Sequence, residues 1–295
     1  MKTFQLKIEE NKDISHFFTL KTKVIARYFF KAKTREDLIN IKKYSLEKKI
    51  PIFILGGGSN IAVLSGKLDY LVVKNNYLKF EIIDENEKEA KVLISSGYPV
   101  SLLIAKSIDK GLSGFEYHQG LPGTVGGAIY MNSKWTKPLT YFGDNLIEAF
   151  LVDKNGQLKK VNRDYFNFAY DYSILQKTKE IFIEGIFLLK KDKKEEIKKR
   201  ADFALSYRKT TQPYGLATCG CFFQNPGGVS AGYLIDKAGL KGFRIGGFYI
   251  SPIHANFIVN DGSGKKEDLL KLLEIIKNKV KEKFNIQLKE EVIIM

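Results

Sequence analysis

The 295-residue chain carries 48 Lys and Arg against 33 Asp and Glu, a formal net charge of +15, with 44% apolar and 13% aromatic residues. Such a length exceeds one comfortable core and predicts two or three subdomains, and the apolar share excludes a disordered chain. No apolar run nears the roughly 20 residues that cross a bilayer, and the opening MKTFQLKIEENKD is too charged for a secretory signal, so a soluble cytoplasmic protein is expected.

The first segment mixes helix and strand signals. TREDLINIKKYSLEKKI (34–50) has helical spacing, PIFIL (51–55) is an apolar run of strand length, and GGGSN (56–60) breaks regular structure. Strands are expected at 71–73, 79–84 and 91–96, and a helix over 99–111 ended by Gly111. The glycine-dense stretch 111–133 is expected to be largely loop and turn. Segments 146–152 and 181–189 return to strand character. The run KKDKKEEIKKR (190–200) reads as a solvated helix with Glu195–Lys199 and Glu196–Arg200 pairs, leading into a second domain. In 265–284, Leu269, Leu272, Leu273, Ile276 and Val280 recur at helical spacing, with acids in the first turn and lysines in the last. This irregular mixture predicts an α+β fold.

The basic excess is mostly lysine, dispersed among acids, whereas nucleic-acid binders gather Lys and Arg on one face. No nucleic-acid or membrane partner is expected. Two cysteines spaced Cys219-Gly-Cys221 suit neither a disulfide framework nor, with His16, His118 and His254 scattered, a metal site.

Two glycine loops point to a ligand. In GGGSN, Gly56, Gly57, Gly58, Ser59 and Asn60 follow a strand, and bare backbone N–H groups there can approach a phosphate. The spacing is not that of the dinucleotide fingerprint. In HQGLPGTVGGAIYMN, Gly120, Gly123, Gly126 and Gly127 leave backbone unshielded, Pro122 stiffens the path, and Thr124 and Asn132 add polar groups. Two such loops can embrace an extended ligand with a pyrophosphate and flat rings.

With GCFFQNP (220–226), SAGYLIDKAGLKG (230–242) and HANFIVN (254–260), these loops stand in the order seen in UDP-N-acetylenolpyruvoylglucosamine reductases, which the chain resembles from about residue 15 onward. The resemblance implies a two-subdomain FAD-binding fold of the vanillyl-alcohol oxidase type (residues 1–195, divided near 73/74), then a substrate-binding domain (196–295). It implies an NADPH- and FAD-dependent oxidoreductase that reduces the enolpyruvyl ether of UDP-N-acetylglucosamine to UDP-N-acetylmuramate for peptidoglycan, as a cytoplasmic monomer. An FAD-dependent oxidase of a small alcohol or sugar is the alternative on the same fold.

By this likeness the FAD pyrophosphate lies on Gly56 to Asn60, and the second loop lines the flavin from the other side. The family's proton donor is a serine in GS-x-F-x-N-P, a position held here by Cys221, whose thiol is a stronger acid than a hydroxyl. Cys219, two residues away, would share its face in a strand and has no role. LKEEV (288–292) places Glu291 at the second family acid, with Glu290 beside it. Tyr207, Arg208 and Asn225 are implied in substrate binding, and His254 and Asn256 read equally as structural. The family's Y-R-x-S motif becomes YDYS, putting Asp171 where an arginine steadies negative charge, so another cation, Arg208 or Lys209, is expected to compensate. Gln224 replaces a frequent lysine, and the short 190–200 connection indicates the class without a substrate-covering loop.

Overall fold

The structure, a computed structural model, describes residues 6–295; the first five residues of the charged opening stretch lie outside it. The strands are β1 (Glu9–Asp13), β2 (Ile25–Ala32), β3 (Ile52–Leu55), β4 (Ile61–Ala62), β5 (Lys67–Asn75), β6 (Phe80–Glu85), β7 (Glu89–Ser95), β8 (Leu112–Ser113), β9 (Lys134–Thr136), β10 (Leu139–Tyr141), β11 (Leu146–Val152), β12 (Leu158–Asn162), β13 (Ile181–Lys191), β14 (Arg244–Ile245), β15 (Phe248–Ile250), β16 (Ile258–Asn260) and β17 (Ile293–Ile294). The helices are α1 (Arg35–Glu47), α2 (Val100–Asp109), α3 (Val125–Met131), α4 (Leu175–Thr178), α5 (Lys194–Thr211), α6 (Ala231–Lys237) and α7 (Lys266–Phe284). Two compact units result. The first takes the chain up to Asn11, Arg27–Gly57 and Asp69–Ser206; the second takes Lys12–Ala26, Gly58–Leu68 and Tyr207–Met295. Residue 196, where the sequence places the domain boundary, falls inside α5, and the partition comes eleven residues later in the same helix.

In the first unit, α1 starts where the Thr34 hydroxyl accepts from Asp37 N while the Asp37 carboxylate accepts from Thr34 N, satisfying two donors that a helix start leaves unpaired. Leu38, Ile41, Lys42 and Ser45 form its buried stripe. Strands β3 and β5 run parallel, with Leu55 beside Lys74, so the glycine turn begins where their carboxyl ends meet. The larger sheet has the order β12-β11-β13-β7-β6 and is antiparallel, with β8 added to β13. Strand β13 is buried on both faces. Alternation sends Phe182 into one core with Ile94, Phe115 and Phe142, and Ile181 and Ile183 into another with Leu38, Leu71 and Val73.

One buried charge interrupts β13. The Glu184 carboxylate accepts Arg35 Nη1 at 2.6 Å and the Tyr77 hydroxyl at 2.6 Å, so both its oxygens are paired. Two sequence expectations change in this unit. The 111–133 stretch holds a true helix, α3, because Thr124 caps it through Gly127 N and Val125, Ala128 and Ile129 bury one face. On α5, Arg200 turns away from Glu196: it pairs with the buried Glu116 at 2.8 Å, which holds it better than a neighbour in water, and with the exposed Asp192 at 2.6 Å.

The second unit packs Phe222, Phe223, Phe248 and Ile250 against the helix stripe Leu269, Leu272, Leu273, Ile276 and Val280, the five residues expected from their spacing. Its sheet is β14-β15-β16, antiparallel, and β17 pairs parallel with β4.

Candidate active site

Within the first unit the two glycine loops touch main chain to main chain. A Cβ on Gly57 would stand 2.5 Å from Gly123 Cα, and one on Gly56 would stand 2.6 Å from Thr124 Oγ1, so only glycine permits this approach. Gly120 and Gly123 hold positive φ of 83° and 122°. Around Pro122, the carbonyl of Gly123 accepts from Val100 N at 3.1 Å, which ties the turn to α2. Neither Gly57 N–H nor Gly123 N–H donates to an acceptor among the described residues. By contrast Val125 N and Gly126 N donate to Tyr98 O at 2.9 Å and Ser96 O at 2.8 Å, so the start of α3 has already used its donors. A diphosphate needs uncommitted N–H groups with no side chain in the way; Gly57 and Gly123 meet both conditions, and the residues present fit FAD.

Asn132 does not join the turns. Its amide is buried and engaged at both ends, donating to Ala169 O at 3.0 Å and accepting from Gly143 N at 3.2 Å, while its left-handed backbone closes α3. It fastens the 169–173 loop. In that loop Asp171 is buried with φ of 50°. Burial pushes its carboxyl up, and the charge of Lys134 and a bond with Tyr170 oppose this. Lys134 Nζ lies 3.4 Å from the Tyr170 ring centroid.

The second unit gathers the other candidates. Gly58, at φ 64°, leaves no room for a side chain against Phe17 O, and its carbonyl accepts from Thr19 N at 3.2 Å. Ser59 continues the turn, and Asn60 Nδ2 donates to Glu291 O at 3.4 Å. The 221–224 segment is held on two sides: Phe222 N donates to Asn256 O at 2.8 Å, and Glu291 N to Phe222 O at 2.9 Å. The Asn256 side chain closes a ring on Phe223, accepting its N–H at 3.0 Å and donating to its carbonyl at 2.8 Å. Asn225 Oδ1 accepts from Ala231 N at 2.9 Å at the start of α6.

Cys221 and Cys219 part company. Gly220 has φ 89°, which breaks the strand alternation that would put both thiols on one side. Cys219 is fully buried in the core, where burial, with the Glu291 charge adding to it, pushes its thiol up. Cys221 stays partly open. Arg208 is 7% exposed, and burial pushes its guanidinium down to about 10, with an electrostatic interaction with Cys221 opposing this. Tyr207 precedes it, its carbonyl accepting from Thr211 Oγ1 at 2.7 Å. Of the two cations weighed as substitutes for the arginine, Lys209 is exposed, 5.5 Å from the Tyr214 ring centroid, whereas Arg208 is buried. Glu290 is ion-paired with Lys277 on α7, which separates it from Glu291. His254 serves the scaffold: its Nδ1 accepts from Asn256 N at 3.3 Å. Sequence reading missed Lys74, whose Nζ donates to the Gly56 carbonyl; its one signal is a lysine inside the apolar run LVVKN.

The chain resembles known proteins along nearly its whole length. Residues 26–162 match a family described as an FAD binding domain, and residues 212–295 match the C-terminal domain of UDP-N-acetylenolpyruvoylglucosamine reductase. The UDP-N-acetylenolpyruvoylglucosamine reductase of Chlamydia trachomatis serovar D is 36% identical over 293 residues, covering 99% of this chain and 98% of the relative. That of Bacillus pumilus is 33% identical over 290 residues, covering 98% and 94%. The crystal structure of the reductase from Thermus caldophilus superposes with a TM-score of 0.81 at 29% identity, covering 98% of each chain. With relatives matched along nearly their whole length, the chain belongs to the UDP-N-acetylenolpyruvoylglucosamine reductase family.

Proposed function

We propose that the chain reduces the enolpyruvyl ether of UDP-N-acetylglucosamine to UDP-N-acetylmuramate, with NADPH as reductant and FAD as cofactor. FAD, when bound, supplies the hydride that the side chains of this protein cannot. Gly57 and Gly123 would hold its diphosphate through backbone N–H groups, with the neighbouring glycines keeping side chains out of the way.

The remaining work is proton delivery and charge stabilisation. Hydride addition to the alkene leaves negative charge next to the substrate carboxylate. Cys221 would give that carbon a proton from its Sγ, and the Arg208 guanidinium would steady the charge while it lasts. Glu291 would position the substrate or pass protons, with Glu290 held away by Lys277. Tyr207 and Asn225 would contact the UDP-sugar. The reading is supported by one observation: the turns of Gly57 and Gly123 meet main chain to main chain with their N–H groups uncommitted among the described residues, in a chain of this reductase family.

The test is spectroscopic. The purified protein should be yellow, bleach with NADPH, and recover its colour when the UDP-sugar enolpyruvyl ether is added without oxygen. Bleaching that only oxygen reverses would favour the alcohol or sugar oxidase. We propose that the enzyme works as a cytoplasmic monomer; no described helix is long and apolar enough to cross a membrane.

A further inference from the structure

Lys74 stands on β5 directly beside Leu55, the last residue of β3, and its Nζ donates to the carbonyl of Gly56. The side chain is half-buried, and burial, with the positive charge of Lys31 on neighbouring β2 adding to it, pushes the amine down from its ordinary value. Holding an ammonium there costs free energy, so the position asks for a return beyond packing. A trans peptide points its C=O and the following N–H in opposite directions. Fixing the Gly56 carbonyl on Lys74 therefore aims the Gly57 N–H away from the lysine, and that N–H has no acceptor among the described residues. An ammonium on the oxygen also polarises the peptide and makes its N–H a stronger donor, since hydrogen bonds in a chain reinforce one another in a low-dielectric setting. The arrangement lies where the carboxyl ends of two parallel strands meet, the edge of a sheet that commonly receives ligands.

We propose that Lys74 is a positioning residue for an anionic diphosphate: through the Gly56–Gly57 peptide it orients and strengthens the Gly57 N–H that binds it. The inference rests on the FAD reading given above and adds the group that makes the glycine turn selective for charge. Lysine suits the task because a compact ammonium can sit end-on to one carbonyl, which a planar guanidinium does less well.

The experiment is an FAD titration of the apo-protein followed by flavin fluorescence, with wild type, Lys74→Met and Lys74→Arg, each checked for folding by circular dichroism. Lys74→Met is expected to raise the Kd for FAD at least about tenfold, the scale of a hydrogen bond to a charged group. Lys74→Arg should recover part of the loss, and riboflavin, which lacks the diphosphate, should bind wild type and Lys74→Met equally. A folded Lys74→Met protein with a Kd within twofold of wild type overturns the proposal, as does an equal loss for riboflavin. Wild-type protein that binds no FAD defeats the cofactor reading itself, a different result. If Lys74→Met does not fold, acetylation of wild-type protein decides: FAD should protect Lys74 from acetic anhydride, and unchanged labelling refutes the idea.

Discussion

Gly57 and Gly123, from turns some 66 positions apart in the chain, approach until a Cβ on the first would lie 2.5 Å from the Cα of the second. Neither backbone can retreat cheaply, because Gly123 is tied to Val100 and Gly56 is held by Lys74. Gly57→Ala is therefore expected to part the turns at a cost of about 1–3 kcal/mol, the usual scale of overpacking. Purified Gly57→Ala protein should have lost most of its absorbance near 450 nm, and a fully yellow variant would show that the contact is not needed to hold the flavin.

Cys221 tests the acid. Cys221→Ala should leave reduction of the flavin by NADPH nearly unchanged and slow product formation by about 10²–10⁴. Cys221→Ser restores an O–H donor and should keep much of the activity. Stopped-flow measurement of the two half-reactions separates these outcomes; an alanine variant that turns over normally places the donor elsewhere.

Glu184 is a stability element with no part in the chemistry. Its carboxylate is almost fully buried and shared by Arg35 and Tyr77. Glu184→Ala leaves a cation and a hydroxyl without their acceptor and should cost about 3 kcal/mol. Urea denaturation is the measurement, and a change below the error of the method would mean that solvent replaces the lost partner.

His254 sets a pH window. Burial, with the Lys241 charge adding to it, pushes its imidazole below the ordinary value, so the folded protein keeps it neutral where the unfolded chain would take up a proton. The stability it allows is complete above the unfolded value of about 6.5 and is lost as pH falls through the folded value. His254→Gln should flatten the fall of melting temperature between pH 7 and 5. A slope equal to that of wild type would assign the acid sensitivity to other groups.

Much of this was legible in the chain. The stripe from Leu269 to Val280 follows from helical period alone, because burial of one face repeats every three or four residues. The glycine turns were legible as sites of close approach, and the structure adds what they approach: each other. What could not be read are choices made by tertiary contacts. Thr124 and the burial of Val125 and Ile129 convert a glycine-rich stretch into α3, overriding weak local propensity. Arg200 prefers Glu116, 84 positions away, to its helical neighbour. Gly220 adopts a left-handed backbone that no alternation rule anticipates, and this decides which of two cysteines meets solvent.

The pairing of β17 with β4 has a consequence for how the protein is made. Ile293 N donates to Asn60 O, and Asn60 Nδ2 reaches Glu291 O, a partner 231 residues further along. A ribosome therefore releases the glycine turn long before the strand that braces it exists. Until translation reaches that strand, this end of the turn lacks its support, and secure capture of cofactor belongs to the finished polypeptide rather than the nascent one.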